Sequence, residues 1–245
     1  MLTAIEKIIF IILATGCLGV SYFTFSKMFR VIGMGDDQID WIKVVKNWRV
    51  CINAFISQKS LFKTRPVIGF IHALVAWGFS LYLIVNLIDV LYGLIPHFKF
   101  LPNHVIGDIY RIFVDIFSVL VLLGVFYFLM RRFIQKDIRL QTEKPVMISD
   151  SALRGMKFDS LLVGTFIIVH VGSRFLSASF EIAGSHSDWS QPAANLVAKM
   201  WSGLEPGTIL VMEHITWWLA LGLILLFLPY FPYSKHAHLF MGPIN

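Results

Sequence analysis

Two imidazoles held at one depth in an apolar bundle can grip a single metal centre from opposite sides, and this chain carries the side chains for it. Of its eight histidines, His72, His170, His214 and His238 fall inside or directly against long apolar runs, with His236 beside the last. His97, His104 and His186 fall in more polar connections and read as surface residues. A helix rises about 1.5 Å per residue, so His72, six residues past Pro66, lies roughly 9 Å into its run. His238 follows Phe231 and Pro232, and reaches the same level if the last helix continues a turn or two. Paired imidazoles fill both axial positions of a haem iron, which suits electron transfer and leaves no position for oxygen. A lone histidine in such a run is more often a satisfied polar residue; a pair matched in depth is the stronger signal.

A second pair follows from the same arithmetic. His170 is roughly 18 Å into its run, and His214 about six residues into the last run from the opposite end. Near them fall Tyr82, Asn86, Asp89, Arg111, Asp115, Arg174 and Glu213. Ionisable groups at such depth are costly and face a protein interior or a water-filled cavity. Arg111 and Asp115, four residues apart, are spaced to pair along one helix. These residues either satisfy one another, or form a quinone pocket with a proton path, or hold a second haem at His170 and His214. Tyr82, Arg111 and Asp115 are the quinone or proton candidates.

The elements that must position these groups are membrane spans. The chain has 245 residues, 57% of them hydrophobic and only 15% charged, too few charges to solvate a soluble domain of this size. About 20 apolar residues cross a bilayer as helix, and five runs qualify: 8–29, 66–92, 105–130, 158–180 and 208–231. The first has a charge and small residues near its start, as a signal peptide does, but it is too long for a cleaved leader and reads as a retained span. Pro66 suits a first helical turn, where its missing N–H costs nothing. Pro232 is expected to end the last helix.

The net charge of +6 lies in the connections between runs, an arrangement of membrane topology rather than of nucleic-acid binding. Residues 26–65 carry eight Lys/Arg and 131–157 carry seven, against one each in 93–104 and 181–207. That bias puts the two basic connections and the C-terminus in the cytoplasm and the N-terminus outside. Within the first basic connection, residues 38–59 read as an amphipathic helix. Ile42, Val45, Ile52, Phe55 and Ile56 lie on one face, with Lys43, Lys46, Asn47, Asn53 and Gln58 mostly opposite. Such a helix lies on anionic lipid, docks a cytoplasmic partner, or both. Cys17 and Cys51 are the two cysteines, and no CxxC occurs, so no iron–sulfur cluster is expected within this chain.

GFIHALVAWGF around His72 and WWLALGLILLFLPYFPYSKHAHLF near the C-terminus resemble the cytochrome b subunit of respiratory nitrate reductase. They resemble still more the N-terminal membrane domain of heterodisulfide-reductase-like proteins. The resemblance covers the whole chain, and its specific parts are the histidine of the second span and the element P-[FY]-S-[KR]-x-x-H. It implies an all-α, five-helix haem b domain over residues 1–245 in a bacterial or archaeal cytoplasmic membrane. It implies haem b ligated by His72 and His238, and electron exchange between menaquinone or ubiquinone and a cytoplasmic iron–sulfur protein or flavoprotein. The substrate of that partner would be a disulfide, an electron-transferring flavoprotein or an inorganic oxidant. The family's outer-haem ligands fall at Tyr82 and Ala220, so a second haem needs other residues. His214 is about 120° out of phase with His238, whereas His236 lies near its face. Relatives of this kind often continue into an iron–sulfur domain after a segment such as GPIN, so the chain is expected to be a separate subunit or the membrane part of something larger. Two rival readings carry no haem: a small transporter or proton channel, and a membrane anchor for a soluble partner. An internal repeat or a helix broken at the midplane would favour the transporter, and neither is evident.

Overall fold

The computed structural model describes residues 2–35, 40–102, 104–140 and 147–238, without the side chains at positions 41, 44, 60 and 139. Among these residues the structure is helical with no strand. The order is α1 (Ala4–Ile32), the short α2 (Trp41–Lys46), α3 (Trp48–Ser57) and α4 (Lys59–Thr64), then α5 (Pro66–Leu94) and α6 (Val105–Leu129). After these come α7 (Asp150–Gly184), α8 (Pro192–Ala198), α9 (Pro206–Trp217) and α10 (Leu223–Phe227). A π turn, Met130–Ile134, extends α6, and a second, Trp218–Gly222, joins α9 to α10.

Among the described residues, five helices are long and apolar enough to cross a membrane: Ala4–Ile32, Pro66–Leu94, Val105–Ile134, Asp150–Gly184 and Pro206–Phe227. At 29 residues, α1 and α5 are about 44 Å long, more than the hydrocarbon thickness of a bilayer. Their ends are fixed by local chemistry. Thr3 and Glu6 form a capping box at α1. Pro66 opens α5, and the Ser149 hydroxyl accepts from the Ala152 N–H at the start of α7.

The core lies where α5, α6 and α7 meet, with Tyr82, Val85, Val114, Val121, Val125 and Val171 in one buried cluster. Close approach is built from small residues, as in membrane bundles generally. A Cβ on Gly78 would fall 2.2 Å from a Val121 methyl, and one on Gly124 would fall 2.7 Å from Val75. The first span packs on the last through Phe10 and Trp217, whose ring centroids lie 5.0 Å apart. Ile8, Ile12, Leu87, Leu123, Phe126 and Leu226 point outward and exposed. In water each would forgo roughly 1.5–3 kcal/mol of burial, a penalty that lipid removes.

Two expectations are corrected. The last span ends at Phe227, not at Pro232, because Pro229 lacks the N–H that another helical turn requires; Leu228 before it still has helical angles. Pro232 instead opens a 3₁₀ turn, Phe231–Tyr233. The segment 38–59 is not one helix. Residues 38 and 39 lie outside the described residues, and the remainder breaks at Asn47 and at Gln58, whose φ of 42° is left-handed.

Candidate functional site

His72 stands in the second turn of α5 and His238 in the turn that follows the last span, and the fold brings them face to face. Their ring centroids are 6.2 Å apart with the planes inclined at 47°. Each ring has one nitrogen committed. His72 Nδ1 lies 3.1 Å from Gln58 Oε1, and His238 Nδ1 meets the Lys235 carbonyl. Both partners are acceptor oxygens, so each Nδ1 donates, which in a neutral imidazole leaves the Nε2 lone pair for a metal. A metal centre bound to two such nitrogens at about 2 Å each holds the ring centres about 6 Å apart. A carbonyl or amide oxygen behind a ligating imidazole is also the usual outer support of a metal site.

The partners of these two histidines come from chain breaks. Gln58 reaches His72 because its left-handed backbone turns the chain between α3 and α4. The His238 turn is held by Asp159 of α7, which accepts from the Tyr230 hydroxyl at 2.7 Å and the Lys235 N–H at 3.3 Å. The Ser234 hydroxyl donates to the Phe231 carbonyl at 2.9 Å and accepts from the His236 N–H at 3.2 Å. Burial and the Asp159 hydrogen bond push the Tyr230 hydroxyl up to about 12. Burial, with His238 and Lys235 nearby, pulls His236 down to about 4, so it is neutral at physiological pH. Burial and the Arg132 guanidinium lower Lys235, against Asp159.

A cavity of about 380 Å³ opens beside this pair, with walls that include Val75, Val121, Val125, Phe128 and Ile224. Arg65, Arg131, Arg132 and Lys235 also line it. Arg131 is held by Asp137, its Nε donating at 2.7 Å. An apolar slot with cations and two facing imidazoles suits a flat, largely apolar ligand that carries carboxylates and a metal. The cavity extends to Tyr82, Asn86 and His170.

His170 is buried, 4% exposed, and stacks on Phe166 at 5.9 Å. Its Nδ1 donates to the Ala220 carbonyl at 2.7 Å, inside the second π turn, and its Nε2 is buried without a partner. Tyr82 packs edge-on against the ring at 5.6 Å. Tyr82 and Ala220, the two positions where outer-haem ligands are expected from the resemblance, thus both touch His170.

The expected pairing of His170 with His214 is not what the fold builds. Ala220 lies six residues beyond His214, about 9 Å further along the last span. His214 turns to α1, where Glu6 meets its Nδ1 at 2.8 Å, and lines a separate groove of about 470 Å³ with Trp218 and Leu210. Nor do Arg111 and Asp115 pair. Arg111 bonds Asp108 one turn earlier, and its Nε lies 3.0 Å from Asp188 and 2.9 Å from the Ser190 hydroxyl. Burial acts to raise the Asp188 carboxyl, but hydrogen bonds from Ser190 and Gln191 and the Arg111 charge hold it below the usual range. Asp115, only 2% exposed, accepts from the N–H groups of Ala193 and Ala194 at 2.7 and 3.0 Å and so caps α8.

A third cavity, about 320 Å³, lies at the end opposite His72 and is lined by Asp89, Arg111 and Arg174 of the polar cluster. Arg174 Nε pairs with Asp89 at 3.1 Å, the Trp217 indole donates to the Asp89 carbonyl at 3.2 Å, and Tyr92 donates to Glu181 at 3.2 Å. His186, expected to be a plain surface residue, lines it as well, as does Arg111. Gln58, Asp159, Ser118 and the Ala220 carbonyl are site residues that sequence reasoning missed. None carries a motif, and each acts through a chain break or a neighbouring span.

No family model and no solved structure matches the chain. Two curated proteins do. The chain is 32% identical over 202 residues to the probable iron-sulfur-binding oxidoreductase FadF of Bacillus subtilis (strain 168), covering 80% of this chain and 26% of that protein. It is 26% identical over 190 residues to the EtfAB:quinone oxidoreductase of Syntrophomonas wolfei, covering 74% and 25% respectively. The chain therefore spans about a quarter of the length of these relatives, and its likeness is to oxidoreductases.

Proposed function

We propose that this chain is the haem b membrane part of an oxidoreductase, passing electrons between the quinone pool and an iron–sulfur or flavin partner. The observation that carries the reading is the pair His72 and His238, 6.2 Å apart, each with Nδ1 committed to an oxygen and Nε2 free. The site fits the group: two imidazoles with Nδ1 turned to oxygens, an apolar slot and cations for two carboxylates. Bound there, haem supplies a one-electron couple. The protein's part is to hold the ligand rings through Gln58 and the Lys235 carbonyl, to neutralise carboxylates at Arg65, Arg132 and Lys235, and to exclude water with the apolar wall.

The basic connections are assigned to the cytoplasmic side, which puts α2 to α4 beside the His72 end as a surface for lipid or for the partner. An iron–sulfur partner is supported by the first relative, which is named as iron-sulfur-binding and extends far beyond the aligned quarter. Quinone is supported by the printed activity of the second. Arg174, Asp89 and Glu181 of the third cavity serve in this reading as a proton exit to the outside. The test is haem retention in folded variants: His72→Ala and His238→Ala lose the haem, and His97→Ala keeps it. Full retention in His72→Ala sinks the ligand assignment.

A further inference from the structure

The cavity beside His72 and His238 reaches beyond the pair at its mouth. Tyr82 lies ten residues beyond His72 on α5, about 15 Å along the helix, yet both line the same space. At the far end stand His170, Tyr82 and Asn86, and the hydrogen-bond polarity of the first two is fixed. The Ala220 carbonyl can only accept, so His170 Nδ1 must donate, and in the neutral imidazole Nε2 is then an acceptor. The Ser118 hydroxyl donates to the Val114 carbonyl at 2.5 Å, so the Tyr82 hydroxyl spends its hydrogen on Ser118 Oγ at 2.7 Å. Towards the cavity, His170 and Tyr82 therefore present lone pairs and no hydrogen. Asn86 Oδ1 is buried without a partner, and its amide can present either end.

We propose that this end of the cavity binds a hydroquinone, whose hydroxyl donates to His170 Nε2 with Asn86 beside it. The assignment rests on the reading of the chain as a quinone-linked protein and adds which redox form the site is built for. A quinone carbonyl, an acceptor, would oppose the His170 lone pair; a hydroquinone hydroxyl meets it. One water would also donate to Nε2, and unchanged mimic affinity in the variants below is the result that a water alone predicts. In this proposal a membrane-dissolved ligand enters past Leu83, which is 49% exposed and lines the same cavity.

The test uses the full chain in lipid nanodiscs and a fluorescent hydroxyquinoline N-oxide, a hydroquinone mimic, with binding read by quenching and haem counted in the same samples. The mimic is expected to bind, and to be displaced by dithionite-reduced menaquinol at a concentration about tenfold lower than by menaquinone, one hydrogen bond's worth. His170→Leu is expected to weaken the mimic about tenfold with the haem count unchanged. Asn86→Leu, which leaves the His170–Ala220 bond in place, is expected to weaken it severalfold and decides the matter if His170→Leu does not assemble. Equal displacement by both redox forms overturns the proposal, as does unchanged affinity in the variants. Loss of a haem from His170→Leu overturns it in favour of a second haem. A wild-type chain that binds the mimic and holds no haem supports this site while removing the cytochrome reading.

Discussion

The Tyr230 hydroxyl donates to Asp159 across 2.7 Å, tying the turn after the last span to the basic end of α7. With the Lys235 N–H on the other carboxylate oxygen, this contact decides where His238 stands. Asp159→Ala is expected to fold but to hold haem about a hundredfold more weakly, the cost of two hydrogen bonds around a carboxylate. Haem transfer to apomyoglobin measures it. Transfer at the wild-type rate would remove Asp159 as the positioning residue.

In the proposed haem site, Gln58 would act on the iron through His72. Removing the acceptor behind Nδ1 makes the imidazole a weaker donor to iron, which favours the ferrous state. Gln58→Leu is therefore expected to raise the midpoint potential and to weaken haem binding by ten- to a hundredfold. A redox titration of the visible spectrum reads the first effect. Gln58→Glu, which keeps an acceptor and adds charge, should move the potential the other way.

Asp115 is assigned to structure rather than to proton transfer. Asp115→Ala uncovers two buried N–H groups at the start of α8 and is expected to cost about 2–4 kcal/mol. Thermal unfolding in detergent should show this loss, while haem content and mimic binding in the surviving folded protein stay at wild-type levels. Lost binding in a folded Asp115→Ala protein would return Asp115 to the site.

Asp188 makes the opposite end of the bundle sensitive to acid. Its folded-state pKa is depressed, so its contribution is full above the ordinary value of 3.8 and is lost as pH falls through the lower folded value. Thermal stability is expected to decline from about pH 4 downward, and Asp188→Asn should flatten that part of the profile. A profile unchanged by the substitution would mean that the Arg111–Asp188 contact contributes nothing.

The spans and the His72–His238 contact were legible because each rests on a strong local signal: apolar runs of bilayer length, and a short element after the last run. The second histidine pair was not. Counting depth gives a level along the axis but not the face a side chain presents: His214, in the regular helix α9, turns to Glu6 of α1, and the π turn at Trp218–Gly222 presents the Ala220 carbonyl to α7. That places Ala220, not His214, opposite His170. The break at Gln58 was invisible because the residue needs no glycine to turn left-handed there. Asp115 looked ionisable and deep, and only the fold shows that two N–H groups of α8 use both of its oxygens.

The most direct test of the account is a reduced-minus-oxidised visible spectrum of the purified chain, with haem quantified per polypeptide as the pyridine haemochrome. The account predicts the sharp α-band of a low-spin b-type haem and about one haem per chain, lost in His72→Ala and kept in His170→Leu. A well-folded sample with no haem would contradict it, and would bring forward the haem-free transporter or anchor.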